Sequence, residues 1–386
     1  MEIAKDIYNV GVNDYNVKLF ESQYPLENGM AYNSYLIIDE KIALLDTVEK
    51  DLKDEWLNNI KSILKERKID YLIIHHMEPD HSSNILSIVN EYKDITIVAT
   101  SKAFSMMKNF FDNEFLDQRI VIKDNDELNL GKHTLKFFLA PMVHWPEVMM
   151  SYEKESKILF SSDAFGKFGT NDLKEDWEDE ARRYYYGIVG KYGKQVQLVF
   201  KKLEGLDIAT IASLHGPILN ENLDKYFNYY KLWSNLEEEE KGAVIVYASI
   251  YGHTDEAAYY LFNKLNEKGY KAKTINLVKE DIFKAVSDAF CYSTIIIATV
   301  TYNNDILPKM KMFINMLKER NYQNRNVGII ENGSWAPNAN NVIKSMLSSS
   351  LNINYLEPVV TLSSVLKDNN KNQIDNLVNN IIKEER

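Results

Sequence analysis

From about residue 243 onward, short continuous apolar runs alternate with stretches whose apolar residues recur every three or four positions. Ala243 to Tyr247, Lys271 to Asn276, Thr294 to Thr299 and Asn326 to Glu331 read as strands, and Asp255 to Lys268 and Lys309 to Arg320 as amphipathic helices. Strands without polar alternation suit a parallel sheet covered on both faces, so this part predicts a doubly wound α/β domain. The earlier part is less regular. Strands are expected at Asn33 to Ile38, Lys41 to Asp46, Tyr71 to His75, Ile95 to Thr100, Thr134 to Leu139, Lys157 to Ser161 and Ile208 to Ser213, with helices near Leu52 to Lys65 and Asn84 to Glu91. Paired strands followed by mixed strand and helix predict a larger α/β sandwich. Between the two lie four consecutive glutamates, Glu237 to Glu240. Such a block is often only a solvated face, but the change of pattern across it predicts a boundary, giving domains 1–240 and 241–386.

Charge and cysteine count narrow the chemistry. With 56 acidic and 45 basic residues the formal charge is −11, too acidic for a chain whose main work is holding nucleic acid or an anionic membrane. The single cysteine, Cys291, excludes intrachain disulfides, thiolate zinc sites and cysteine-ligated iron–sulfur clusters, so any metal must be held by histidine and carboxylate. No run reaches the length of a membrane span, and the start has no secretory signal; a soluble cytoplasmic protein is expected.

Three of the seven histidines fall in one stretch, His75-His76-Met77-Glu78-Pro79-Asp80-His81, after the apolar strand Tyr71 to Ile74 and before a helix expected to open at Ser82 and Ser83. Ligands gather at that edge of an α/β sheet. Uncompensated charge there is expensive, and a cation is the usual remedy. Three further candidates follow three further strands: His144 before Trp145-Pro146, then Asp163, then His215 in a His-Gly-Pro turn. Each alone reads as a loop, cap or turn residue. Four strand ends delivering His or Asp together point to a metal site.

A second constellation opens the later domain. Ser249-Ile250-Tyr251-Gly252-His253-Thr254 joins a buried strand to a helix, where a phosphate would meet free amides and the positive end of the helix. Ser and Thr also cap helices without any ligand. The fingerprints of dinucleotide folds and nucleotide hydrolases are absent. Two polar, aromatic-bearing loops at later strand ends, Thr301-Tyr302-Asn303-Asn304 and Asn332-Gly333-Ser334-Trp335, could hold a flat ring; Tyr302 and Trp335 could equally plug the top of the sheet.

The segment His76-x-Glu78-x-Asp80-His81 with His144, Asp163 and His215-Gly-Pro resembles the metallo-β-lactamase-like domain of flavodiiron proteins, also called A-type flavoproteins, and the Ser249 to Thr254 loop resembles the flavodoxin phosphate loop. The fold implied is an N-terminal metallo-β-lactamase-like αββα sandwich followed by a flavodoxin-like sheet. Metallo-β-lactamase hydrolases normally carry histidine where this chain has Glu78, and a carboxylate there moves preference from zinc toward iron or manganese. The resemblance implies two non-haem irons, one on His76, Glu78 and His144, the other on Asp80, His81 and His215, with Asp163 bridging. His75 should point the other way and be structural. FMN would lie with its phosphate on Ser249, Ile250, Tyr251, Gly252, His253 and Thr254 and its ring among the residues of the two later loops. Trp145 and Pro146 either shape a gas-accessible pocket or merely pack the loop. His253 departs from the family, which often has Ser or Asn there. The implied activity is reduction of O2 to water or of nitric oxide to nitrous oxide. Electrons would come from a separate donor, rubredoxin or a rubredoxin-type reductase, since one cysteine cannot build a fused rubredoxin module. A head-to-tail homodimer or dimer of dimers would bring flavin and irons together. The competing readings are a metallo-hydrolase with a regulatory FMN domain and a non-catalytic electron-transfer flavoprotein.

Overall fold

The computed structural model describes residues 1–384, in two compact units that meet between Ser234 and Asn235. The unit boundary falls at the end of the helix Leu223–Asn235, and Glu240 already belongs to the first strand of the second unit, Glu240–Ala248.

Two sheets make the first unit. One runs in the order Glu2–Ala4, Ile7–Asn9, Tyr35–Ile37, Ala43–Leu45, Tyr71–Ile73, Thr96–Thr100, Arg119–Ile122, antiparallel up to Ala43–Leu45 and parallel beyond it. The other runs Glu127–Asn129, Thr134–Leu139, Met149–Glu153, Ile158–Phe160, Thr210–Ala212, with only the last pair parallel. Ile37, Leu45, Ile73 and Val98 of the first sheet and Phe137, Met149, Ile158 and Phe160 of the second share one buried cluster, so the sheets pack face to face. Helices cover the outside; Lys53–Leu64 buries Trp56, Ile60 and Leu64, one stripe at four-residue spacing.

The second unit has one parallel sheet ordered Ala272–Asn276, Glu240–Ala248, Tyr292–Tyr302, Arg325–Asn332, with Ile353–Tyr355 and Val360–Leu362 sharing the last edge. In chain order this is 2-1-3-4-5, whose strand order reverses between Glu240–Ala248 and Tyr292–Tyr302; the crevice at their C-terminal ends is where such sheets bind ligands. Among the described residues no helix is long and apolar enough to cross a membrane.

One expectation is corrected, and one strand is new. The helix after the histidine stretch does not open at Ser82 and Ser83: a short helix, Pro79–Ser82, already contains Asp80 and His81, because Pro79 at its first position has a φ preset for helix and no amide to satisfy. The all-buried strand Met149–Glu153, which includes Ser151 and Glu153, was not among the expected strands. They are buried because they bond to the buried His75 and His133.

Candidate functional site

The strand Tyr71–Ile73 delivers His75 and His76 to opposite sides, as a period of two requires. His75 turns inward to structure: its backbone N donates to Asp46 Oδ1 at 2.7 Å, its Nδ1 meets Asp46 Oδ2 at 2.6 Å and its Nε2 lies 2.8 Å from Ser151 Oγ. His76 turns to the edge. Its Nε2 lies 3.2 Å from His144 Nε2, 3.3 Å from Glu78 Oε2 and 3.5 Å from Asp163 Oδ2. His144 Nε2 completes this group, 3.1 Å from Glu78 Oε2 and 2.9 Å from Asp163 Oδ2.

A second group stands beside it. His81 Nε2 is 3.0 Å from His215 Nε2 and 3.3 Å from Asp80 Oδ2, which is also 3.3 Å from His215 Nε2. Asp163 spans the two, with Oδ2 toward His76 and His144 and Oδ1 3.4 Å from His81 Nε2. All seven expected side chains therefore converge.

The spacing fits cations. Ligands at about 2.1 Å from an ion sit about 3.0–3.4 Å from one another, close to the 2.9–3.5 Å span of these contacts. Hydrogen bonding does not satisfy the cluster: both oxygens of Asp80 and Oδ1 of Asp163 are buried with no hydrogen-bond partner. Leaving such groups unpaired is costly. Outer contacts present the right atoms. His76 Nδ1 donates to Glu147 Oε1 at 2.8 Å, and His215 Nδ1 donates to the Ala31 carbonyl at 2.8 Å, which leaves each Nε2 lone pair facing the cluster.

Titration follows the same crowding. Burial alone would lower His76, but Asp163, Glu147 and Glu78 outweigh it and hold it well above the usual histidine range. Burial likewise opposes charge on His144, yet Asp163 and Glu78 bring it up to about 9. Burial would raise Glu78 and Asp163; the imidazoles hold both well below the usual carboxylate range. Without metal His76 and His144 thus bind protons, which cations would displace.

The walls contain residues that local sequence did not single out. Glu147 is one. Phe20, Tyr32 and Tyr184 place their rings 5.3, 5.6 and 5.6 Å from that of His215, an apolar enclosure drawn from distant parts of the chain. On the other side Trp145 meets His76 edge-on at 5.2 Å, whereas Pro146 is exposed. At the rim, Glu21 keeps part of its side chain in solvent while desolvation of its carboxyl, and then Glu78, push it up to about 7.

In the second unit the three singled-out loops line one cavity of about 490 Å³ at the strand-order reversal. Ser249, Ile250, Tyr251, His253 and Thr254 form one end; Thr301 to Asn304 and Asn332 to Trp335 form the rest, joined by Val300 and Ala336 at the ends of those loops and by Ser364, which carried no sequence signal. Gly252 does not line it. It shapes the loop with a φ of +90°, while its N donates to Ser249 Oγ at 3.1 Å. The first turn of the helix His253–Glu267 starts with Glu256 N on the Gly252 carbonyl, so the amides of residues 253–255 are left for an outside acceptor. Thr254 is buried and its Oγ1 accepts from Asn332 Nδ2 at 3.3 Å. Thr301 Oγ1 is engaged by the amides of Asn338 and Ala339 at 2.8 and 3.2 Å, so this hydroxyl holds the loop rather than standing free. Tyr251 and Trp335 are 87% and 83% exposed, two large aromatic faces open at the cavity. The cavity volume suits a flat tricyclic ring with a phosphate tail.

Comparison with known proteins agrees. A family model described as ODP family beta lactamase matches residues 30–216. The chain is 31% identical over 364 residues to the nitric oxide reductase of Moorella thermoacetica, covering 90% of this chain and 89% of that protein. It is 31% identical over 358 residues to the flavo-diiron protein FprA2 of Clostridium acetobutylicum, covering 88% of each. Among solved structures, the rubredoxin oxygen:oxidoreductase of Desulfovibrio gigas is similar over 100% of this chain and 98% of that one, with a TM-score of 0.91 and 26% identity. The chain belongs to the flavodiiron protein family, oxidoreductases whose cofactors are FMN and a non-haem diiron centre.

Proposed function

We propose that this protein reduces O2 to water, nitric oxide to nitrous oxide, or both, at two irons held in the first unit, with electrons arriving through FMN in the second. The single observation that carries the metal assignment is Asp163, whose two oxygens face two separate three-residue groups. His76, Glu78 and His144 would hold one iron, Asp80, His81 and His215 the other, and Asp163 both. When bound, FMN and the irons supply redox equivalents, four electrons being needed to take O2 to two waters.

The chain's own residues position and enclose. Glu147 holds the His76 tautomer, Ala31 that of His215, and the rings of Phe20, Tyr32, Tyr184 and Trp145 keep the neighbourhood of the ligands apolar, which suits small uncharged gases. In the second unit the open amides of residues 253–255 would hold the FMN phosphate, and Tyr302 and Trp335 the ring. Flavin and irons belong to different units, and a head-to-tail homodimer, or a dimer of such dimers, is the arrangement we propose for bringing them together across chains. The donor is then external, rubredoxin or a rubredoxin-type reductase.

A hydrolase with a regulatory flavin domain is disfavoured by Glu78, which hardens the ligand set. The test is metal analysis followed by anaerobic stopped-flow of the reduced protein against each gas. About two irons per chain and flavin reoxidation faster than that of free reduced FMN are expected with at least one gas. Zinc in place of iron, or no acceleration by either gas, overturns the proposal.

A further inference from the structure

A phosphate monoester carries close to two negative charges at neutral pH, yet among the described residues lining the cavity there is no Lys or Arg. The one lining side chain that can become a cation is His253. It is the first residue of the helix whose open amides face the phosphate end. Its Nδ1 is buried without a hydrogen-bond partner, and the nearest charged atom is Glu256 Oε1, 3.7 Å away.

The remaining titratable groups around it are neutral or acidic. Tyr251 and Tyr302 line the same cavity, and Asp255 follows in the helix's first turn. Glu331, at the end of the strand Arg325–Asn332, is already engaged, by Asn340 N and by Thr361 Oγ1, both at 2.9 Å. A phosphate seated on the open amides of the helix would place a dianion beside the imidazole and give its protonated form a partner.

We propose that FMN binding is coupled to protonation of His253: the dianionic phosphate and one proton bind together, so the protein holds its flavin less tightly as pH rises. This rests on the reading that FMN occupies the cavity. The sign follows from linkage. Phosphate raises the affinity of the imidazole for its proton, so affinity for FMN is greatest where histidine is already protonated, and declines across the range where histidines lose their proton. Above about pH 6.5 the phosphate is largely dianionic, so the slope there belongs to the protein.

The experiment titrates deflavinated full-chain protein with FMN and, separately, with riboflavin, following flavin fluorescence from pH 6.5 to 9. For FMN the Kd should rise about tenfold across this range, the worth of one charge-assisted hydrogen bond, while riboflavin, lacking phosphate, shows no such slope. His253→Asn should abolish the FMN slope and His253→Lys should keep tight binding to higher pH, with circular dichroism reporting that both variants fold. An FMN affinity independent of pH, or a slope that survives in His253→Asn or appears equally with riboflavin, overturns the coupling. Failure of FMN to bind at any pH instead overturns the assignment of the cavity.

Discussion

The two ligand sites solve the same problem, holding a charged group at strand ends, by opposite means. In the first unit seven ionisable side chains are packed into the core, and their mutual repulsion and unpaired oxygens are tolerable only if protons or cations intervene. In the second, backbone amides and hydroxyls surround an open cavity whose largest aromatic faces stand in solvent. The first site is thus built by the fold and frustrated without its ions. The second is nearly neutral, so its ligand can leave without stranding a buried charge.

That contrast predicts unequal responses to substitution. The largest effect should come from Asp163→Ala. Because one side chain serves both groups, metal content should fall from about two ions per chain toward none, with activity lost beyond the roughly 10–100-fold that outer contacts cost, while FMN content stays unchanged. Elemental analysis beside flavin absorbance checks it; retention of both metals would remove Asp163 as a bridge.

Glu147→Ala should act more gently, weakening metal affinity by about 10–100-fold through the freed His76 ring. Competition with a chelator measures this, and an unchanged affinity would mean that packing alone orients His76. Smallest of all should be Trp335→Ala: loss of one ring contact worth about 0.5–1.5 kcal/mol should weaken FMN binding by a few-fold, with no change in thermal stability because the ring is exposed. A large drop in melting temperature would show that this loop is part of the core and dissolve the contrast.

The chemistry-bearing positions were legible in the sequence because they stand where apolar runs end. His76, Glu78, Asp80 and His81 fall within one short stretch, and His144, Asp163 and His215 each follow a recognisable strand. The central strands of the second unit were legible for a related reason, since burial on both faces leaves continuous apolar residues such as Ile295 to Ala298. The short strands Glu2–Ala4 and Ile7–Asn9 were not, being too brief for any period to show. Met149–Glu153 was hidden because its polar residues are buried by specific partners, Ser151 with His75 and Glu153 with His133, which no local window contains.

Similarly, Glu147 looks like any loop glutamate until His76 Nδ1 is placed 2.8 Å from it, and Phe20 and Tyr184 become neighbours of His215 only through the fold. By itself, the sequence determined which donor atoms exist, that they are oxygen and nitrogen rather than sulfur, and that they lie at strand ends, because residue type and periodicity are local properties. Only the tertiary structure decided that donors between positions 76 and 215 meet within hydrogen-bonding distance and which face of each ring they present. That outcome depends on the packing of two sheets whose contacting residues are far apart in the chain.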